Sequence, residues 1–277
     1  MLSGSIDHAC LPEPYRTRVM VWRDTKRRCD AMPKLSHDDG TRKSRYSSSL
    51  HATHYSKHPT RTHVVDMDTL DAAKALLASG SQRVAVLNLA DPGFPGGNVQ
   101  TGSGAQEESL FRRTTLCMHL PMIHTLYPLE EDACLISRRV VVFRDTEERG
   151  YCLLDRSTFE VDVLSCAGVR HPTLTTEGRM NDEDLQMLLE KVRLIYTSAM
   201  ECGVDGLVLG ALGCGAFRCP PDDVASVFRQ VNLEFDGAFE VVVFAILTPK
   251  GDSALGSLEA FRRRLQPGPD VRTRRDE

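Results

Sequence analysis

Residues 83–90, RVAVLNLA, form a short run that is apolar apart from Arg83 and Asn88, and a loop with five glycines follows at once, DPGFPGGNVQTGSGA. The run is too short and too continuous for an amphipathic helix, so it reads as a strand covered on both faces. That restricts the chain to a sheet flanked by helices. The neighbouring pattern agrees. THVVDMD (62–68) reads as a short strand, and DTLDAAKALLAS (68–79) as a helix with Asp68 at its start and Gly80 as its stop. Strand, helix and strand with short connections predict an α/β fold, a mixed or parallel sheet between helices.

The same reading extends along the chain. Strands are predicted over 138–145, 160–167, 206–213 and 239–247. A helix is predicted from Gln106 to about Leu120, ended by Pro121. The clearest helix spans 181–203, where acidic residues crowd the start, Leu188, Leu189, Val192, Ile195 and Ala199 form a stripe, and Gly203 closes it. Pro220-Pro221 opens another helix, and a last one runs from about Ser253 to Leu265. Upstream, residues 1–14 are expected to be disordered. Residues 15–32 form an amphipathic helix with a basic face that packs through Trp22, and residues 33–60 form a polar linker. The main domain occupies 61–265, and a basic tail, 266–277, is expected to be disordered.

Bulk properties exclude several classes of function. The 277 residues carry a net charge of −4, which gives no general attraction to nucleic acid or anionic membrane. Binding of a phosphate-bearing ligand must therefore be local. No run reaches the ~18 apolar residues of a membrane span, and the N-terminus lacks a signal-peptide core. The nine cysteines include no Cys-x-x-Cys pair, which points to reduced thiols in an intracellular protein, cytoplasmic or nuclear.

Three loops are expected beyond strand C-terminal ends: Asp91–Ala105, Ala167–Thr173 and Gly210–Pro221. Ligands bind in such crevices in helix-covered sheets. GALGCGAFRCPP (210–221) lacks the Lys-Ser/Thr of a P-loop and the dinucleotide fingerprint. It is either a tight turn or a nest of backbone N–H groups for a diphosphate. Phe217 within it either plugs the core or packs on a sugar or base. Glu107 and Glu108 are either helix-start carboxylates or ligand contacts; adjacent helical residues point about 100° apart, so the two would serve neighbouring groups. Asn88 is either a turn-former or a ligand donor, and Asp91-Pro92 is a turn element. The spacing of Cys214, Cys219 and His171 matches no familiar zinc pattern, so no metal is expected.

With these residues in view, the chain resembles the microbial-type poly(ADP-ribose) glycohydrolases, a branch of the macrodomain superfamily. That family's signature is a Gly-Gly-Gly run, a short spacer and Gln-Glu-Glu. Here Gly96-Gly97-Asn98 is followed by seven residues and then Gln106-Glu107-Glu108. LGALGCGAFRCPP is similar to the family's diphosphate loop, and RTRVMVWRDTKRRC to its N-terminal accessory helix. The resemblance runs from about Tyr15 to about Leu265.

The resemblance implies a macrodomain-like sheet between helices and metal-free, cofactor-free hydrolysis of a ribosyl C1″ bond. It makes Glu108 the catalytic acid and Glu107 the ligand of the adjacent ribose. Gly96 and Gly97 would hold the distal ribose, and Asn88, Asn98 and Gln106 would also bind ligand. Gly213, Cys214, Gly215, Ala216 and Phe217 would cradle the diphosphate, with Phe217 packed on the ligand. The implied partner is poly(ADP-ribose) or an ADP-ribosylated protein; no direct nucleic acid or membrane partner is expected, and the sequence leaves the oligomeric state open, with a monomer favoured. Asn98 stands where the family has its third glycine, and a side chain there would narrow the pocket or contact the leaving group. Two alternatives stay open: a hydrolase of ADP-ribosyl-arginine, and a non-catalytic ADP-ribose-binding module. A helix start favours ionised carboxylate, whereas a general acid must keep its proton, so desolvation and ligand phosphates would have to hold it there.

Overall fold

The computed structural model describes residues 11–36, 39–45, 58–248 and 255–266. Its centre is a seven-stranded mixed sheet. In chain order the strands are β1 (Thr41–Arg45), β2 (Arg61–Val65), β3 (Val84–Leu89), β4 (Ala133–Val142), β5 (Phe159–Cys166), β6 (Gly206–Leu209) and β7 (Val241–Ala245). Their spatial order is β1-β4-β5-β3-β6-β7-β2. From β5 to β2 all neighbours are parallel, while β4 runs antiparallel to both β5 and β1.

The apolar run that anchored the sequence reading is β3, at the middle of the sheet. Ala85 and Leu87 face one core cluster, and Val84 and Val86 face the other. Strand side chains alternate between faces, so a strand buried on both sides is apolar except where a polar residue is hydrogen-bonded, as Asn88 is. One cluster packs under α5 (Asp182–Cys202), α6 (Pro221–Glu234) and α7 (Leu255–Leu265). The other packs under α1 (Tyr15–Asp30), α2 (Thr69–Ala78) and α3 (Gln106–Arg113). The result is the expected sheet between helical layers.

Local chemistry sets the helix ends. Asp68 accepts the Leu70 and Asp71 amides at 2.9 and 3.1 Å at the start of α2. Asn181 accepts the Asp184 amide at 2.8 Å in front of α5, and Gly203, at φ +66°, closes it. The segment 106–120 is broken where one helix was predicted. Thr114 is extended (φ −134°, ψ 171°) and bridges to Val142, which ends α3 at Arg113. A 3-10 turn, Thr115–His119, then leads into the short α4 (Leu120–Ile123), and Pro121 sits in the first turn of α4 rather than stopping a helix.

The expected linker 33–60 contains a strand. β1, TRKSR, has no apolar alternation, and its pairing to β4 is reinforced by polar contacts. Arg42 meets Glu201 at 2.6 Å, Lys43 meets Glu130 at 3.2 Å, and the hydroxyls of Thr41 and Ser137 lie 2.7 Å apart. Charged side chains are the usual protection of an edge strand, which is why its sequence resembles a linker. His51 and His54, the N-terminal residues 1–10 and the tail from 267 lie outside the described residues.

α1 is integral to the fold. Val19, Trp22, Thr25 and Cys29 form its buried face, and the Trp22 ring meets Phe111 edge-on at 6.3 Å. Arg18 pairs with Glu147 at 2.9 Å. Gly102 lets the helix start approach the glycine loop, because a Cβ there would lie 2.5 Å from the Tyr15 carbonyl oxygen. Among the described residues no helix is long and apolar enough to cross a membrane, and every cysteine in them is a free thiol.

Candidate active site

The loops after β5, β3 and β6 leave the same edge of the sheet, and β3 lies between the other two strands. The two flanking loops are joined. The His171 amide donates to the Phe217 carbonyl at 2.9 Å, the Cys219 thiol donates to Val169 O at 3.1 Å, and a Cβ on Gly168 would stand 2.9 Å from Gly213 Cα. They arch beside the end of β3, where the glycine loop and α3 begin.

The start of α3 is fastened to β3 by Gln106. Its amide nitrogen donates to Leu87 O at 2.7 Å and its oxygen accepts the Leu89 amide at 3.0 Å. Both polar atoms of Gln106 are thus committed to the strand, and the residue's visible work is to orient the two glutamates after it. Both of those are buried, at 4% and 5% exposure.

Glu107 is enclosed by donors. Oε1 accepts the Gly96 amide at 3.1 Å and Asn88 Nδ2 at 3.3 Å, and Oε2 accepts the Asp91 amide at 2.8 Å. Burial nevertheless raises its pKa to about 7, against the lowering effect of those bonds. Glu108 is held differently. Its Oε1 accepts the Asn98 amide at 3.0 Å, and its buried Oε2 has no partner. Of the four carboxylate oxygens in the pair, only this one is uncommitted.

The glycines here are steric requirements. A Cβ on Gly97 would come 2.6 Å from Glu108 Oε1, and one on Gly96 would come 3.2 Å from the Phe111 ring; both residues have positive φ. Asn98 needs no such freedom. Its φ is −99°, its side chain is exposed, and what it brings to the carboxylate is its main-chain N–H. Asn88 is buried, donates to Ser165 Oγ at 3.0 Å as well as to Glu107, and leaves Oδ1 unpartnered. Asp91 forms the expected turn, its Oδ1 accepting the Gly93 and Phe94 amides at 2.8 Å each.

In the second glycine loop, Gly213 adopts φ +77°. Among the described residues the amides of Gly213, Gly215, Ala216 and Phe217 donate to no protein acceptor. Such a run of open N–H groups is the nest expected for an anion. The Cys214 thiol points back at Leu212 O at 3.9 Å, and burial raises both it and Cys219, the latter to about 12. Neither is a reactive thiolate. Among the described residues no cluster of His, Cys, Asp or Glu is arranged to hold a metal ion.

A cavity of about 520 Å³ runs from this loop to the start of α2, lined by Gly210, Cys214, Gly215, Asp68, Gln106 and Leu247 among others. One face of α3 lines it, while Glu107 and Glu108 leave the helix toward the glycine loop. The cavity is large enough for the nucleotide part of a ligand, and the carboxylates lie beyond its end.

The sequence did not mark two residues of this region. Tyr127 is pushed up in pKa by burial and then by the charges of Glu107 and Asp91. Arg112 is fully buried, four residues after Glu108. It donates to Ser103 O at 2.7 Å and to the Tyr151 hydroxyl at 3.1 Å, and leaves Nη2 unpartnered. Only its place in α3, one helical turn from Glu108, could have pointed to Arg112.

Comparisons with known proteins agree with this geometry. Residues 27–145 match the family model described as microbial-type PARG, catalytic domain. None of the curated proteins compared matches. Among solved structures, the poly(ADP-ribose) glycohydrolase from Thermomonospora curvata is similar over 90% of this chain and 99% of its own, with 27% identity and a TM-score of 0.75. The same protein bound to the inhibitor ADP-HPD gives 0.76. The enzyme from Deinococcus radiodurans in complex with ADP-ribose covers 82% of this chain and 94% of its own, at 29% identity and a TM-score of 0.70. The glycine loop and paired glutamates lie inside the stretch that matches the family model, the open amide nest lies beyond it, and the chain as a whole is similar to the microbial-type poly(ADP-ribose) glycohydrolases.

Proposed function

We propose that this chain is a poly(ADP-ribose) glycohydrolase in which Glu108 is the catalytic acid. The observation that carries the assignment is the asymmetry of the pair. Glu107 is saturated by main-chain and side-chain donors, whereas Glu108 is anchored through one oxygen and keeps the other unpartnered. An anchored carboxyl with a free oxygen can deliver a proton in a fixed direction.

The adenosine part of the substrate fills the cavity, the diphosphate meets the amides of Gly213 to Phe217, and the distal ribose reaches the end of β3. Glu107 accepts a hydroxyl of that ribose. Protonated Glu108 gives its proton to the leaving oxygen as the C1″–O bond breaks, and an oxocarbenium-like centre forms. Water then adds to C1″ and returns a proton to Glu108, so ADP-ribose and a free hydroxyl are the products. Phe217 packs on the ribose and helps to keep bulk water from the cation. We assign the catalytic domain to residues 61–265, with α1 and β1 supplied by the preceding segment. We take the monomer as the working unit, since both loops and both glutamates come from one chain. The free thiols support a reducing, intracellular setting.

The test is release of ADP-ribose from poly(ADP-ribose) by wild type and by Glu108→Gln. The variant should lose about 10²–10⁴-fold in turnover, the scale of general-acid loss, while still binding ADP-ribose. Equal turnover would remove Glu108 from the chemistry. Release from ADP-ribosyl-arginine alone would move the substrate to the mono-ADP-ribosyl class, and binding without release from either would leave a binding module.

A further inference from the structure

We infer that Arg170 and Arg218 form a cationic lip that holds the diphosphate of the departing unit, so that the enzyme favours a polyanionic leaving group. This rests on the function proposed above.

Arg170 lies over the Phe217 ring, 5.9 Å from its centroid, and Arg218 is the next residue along that loop. Both are exposed, and among the described residues neither has a carboxylate partner. Some exposed arginines of the fold are paired, among them Arg179 with Asp223, Arg149 with Asp71 and Asp145, and Arg139 with Glu160. Arg170 and Arg218 differ from these, and from Arg61, Arg156 and Arg229, which are unpaired among the described residues, in flanking the open amide run. Acids close to the lip are already engaged. Asp184 accepts the Thr173 amide at 2.7 Å, and Asp223 accepts the Met180 amide and Arg179. Two unpaired guanidinium groups on one rim of a chain with net charge −4 make a local field that an anion would satisfy.

The lip is also held in place. The same bonds that join the two loops, His171 N–H to Phe217 O and the Cys219 thiol to Val169 O, fix the backbone beneath both arginines. In poly(ADP-ribose) the leaving oxygen belongs to the ribose of another ADP-ribose unit, whose diphosphate is one ribose away from the breaking bond. With Phe217 against the distal ribose, the exposed Arg170 over that ring and Arg218 beside it in the chain flank the place assigned to the leaving unit. A guanidinium-bearing leaving group, as in ADP-ribosyl-arginine, would be repelled there.

The test compares kcat/KM on poly(ADP-ribose) with that on 4-nitrophenyl ADP-ribose, whose leaving group carries no phosphate. Arg170→Glu/Arg218→Glu should lower the polymer value by on the order of tenfold and flatten its salt dependence. The nitrophenyl value should fall by clearly less than the polymer value, since that substrate shares the diphosphate on Gly213 to Phe217 but lacks the one on the leaving group. Arg170→Lys/Arg218→Lys should restore most of the polymer value. Equal losses on both substrates, or none on either, would overturn the lip while leaving the glycohydrolase reading intact. Wild type that cleaves the nitrophenyl substrate but not the polymer would overturn both.

Discussion

The Asn98 main-chain N–H donates to Glu108 Oε1 at 3.0 Å, and this bond ties the glycine loop to the proposed acid. The geometry leaves no room beside it. Gly97 sits at φ +53°, and a Cβ there would lie 2.6 Å from the same oxygen. Gly97→Ala must displace either the carboxylate or the loop. A shift near 1 Å at a reacting group costs about 10²-fold in rate, and the left-handed backbone adds about 1–2 kcal/mol of strain. Turnover on poly(ADP-ribose) should therefore fall about 10²-fold with a modest drop in Tm. Unchanged turnover would show that Glu108 does not need this placement.

Gly215 offers the opposite case. A Cβ there meets nothing within 4 Å of protein, and the residue is exposed in the open amide run. Gly215→Ala should leave Tm unchanged. If a diphosphate passes against that backbone, the added methyl meets the ligand instead, and Kd for ADP-ribose should rise by roughly tenfold, equivalent to about 1.4 kcal/mol. Calorimetric titration reads this directly, and an unaltered Kd would move the diphosphate elsewhere. Gly213→Ala is the contrasting variant, since its Cβ would lie 2.7 Å from Cys219 Sγ and would disturb the loop itself.

Glu107 predicts a pH dependence of stability. Burial raises its pKa from 4.5 to about 7 in the fold. The folded state then holds its proton over a range in which the unfolded chain has lost it, so this residue's contribution is full below about pH 4.5 and is lost as pH rises through about 7. The rise from 4.5 to about 7 corresponds to on the order of 3 kcal/mol. Denaturant unfolding of wild type and Glu107→Gln between pH 4 and 8 should show this slope in wild type only. The variant will be offset at every pH, because glutamine presents an amide nitrogen to a main-chain donor, so the slope is the readout. Parallel curves would mean that Glu107 ionises normally in the fold.

Much of this site was legible because glycine is informative where backbone must do the work. Gly96, Gly97 and Gly213 all adopt positive φ, and Gly97 and Gly213 are also places where a Cβ would collide. β3 was legible because burial on both faces leaves it apolar but for the hydrogen-bonded Asn88. β1 was not, since TRKSR is held by ion pairs and backbone bonds rather than by an apolar stripe. The length of α3 was not legible either, because Thr114 leaves the helix to bridge β4, a tertiary contact that local propensity does not encode. The charge of Glu107 acts on Tyr127 from a separate segment, and no spacing rule connects residues that only the fold brings together. The side chain of Asn98 was expected to bear on the pocket; its exposure shifts attention to its main chain.

α1 bears on the site through one aromatic contact. Trp22 meets Phe111 edge-on at 6.3 Å, and the Phe111 ring lies where a Cβ on Gly96 would come within 3.2 Å. Helix, aromatic pair and glycine loop therefore form a stack that ends at the Gly96 amide, itself a donor to Glu107. Trp22→Ala would open a cavity at the base of this stack. Truncation of a buried aromatic costs about 3–5 kcal/mol, and urea unfolding should show a loss of that size. Phe111 and Gly96 would also lose their backing, so turnover measured well below the unfolding transition should fall, whereas Trp22→Phe should retain most of it. A variant that unfolds early yet keeps full turnover while folded would confine α1 to a stabilising role.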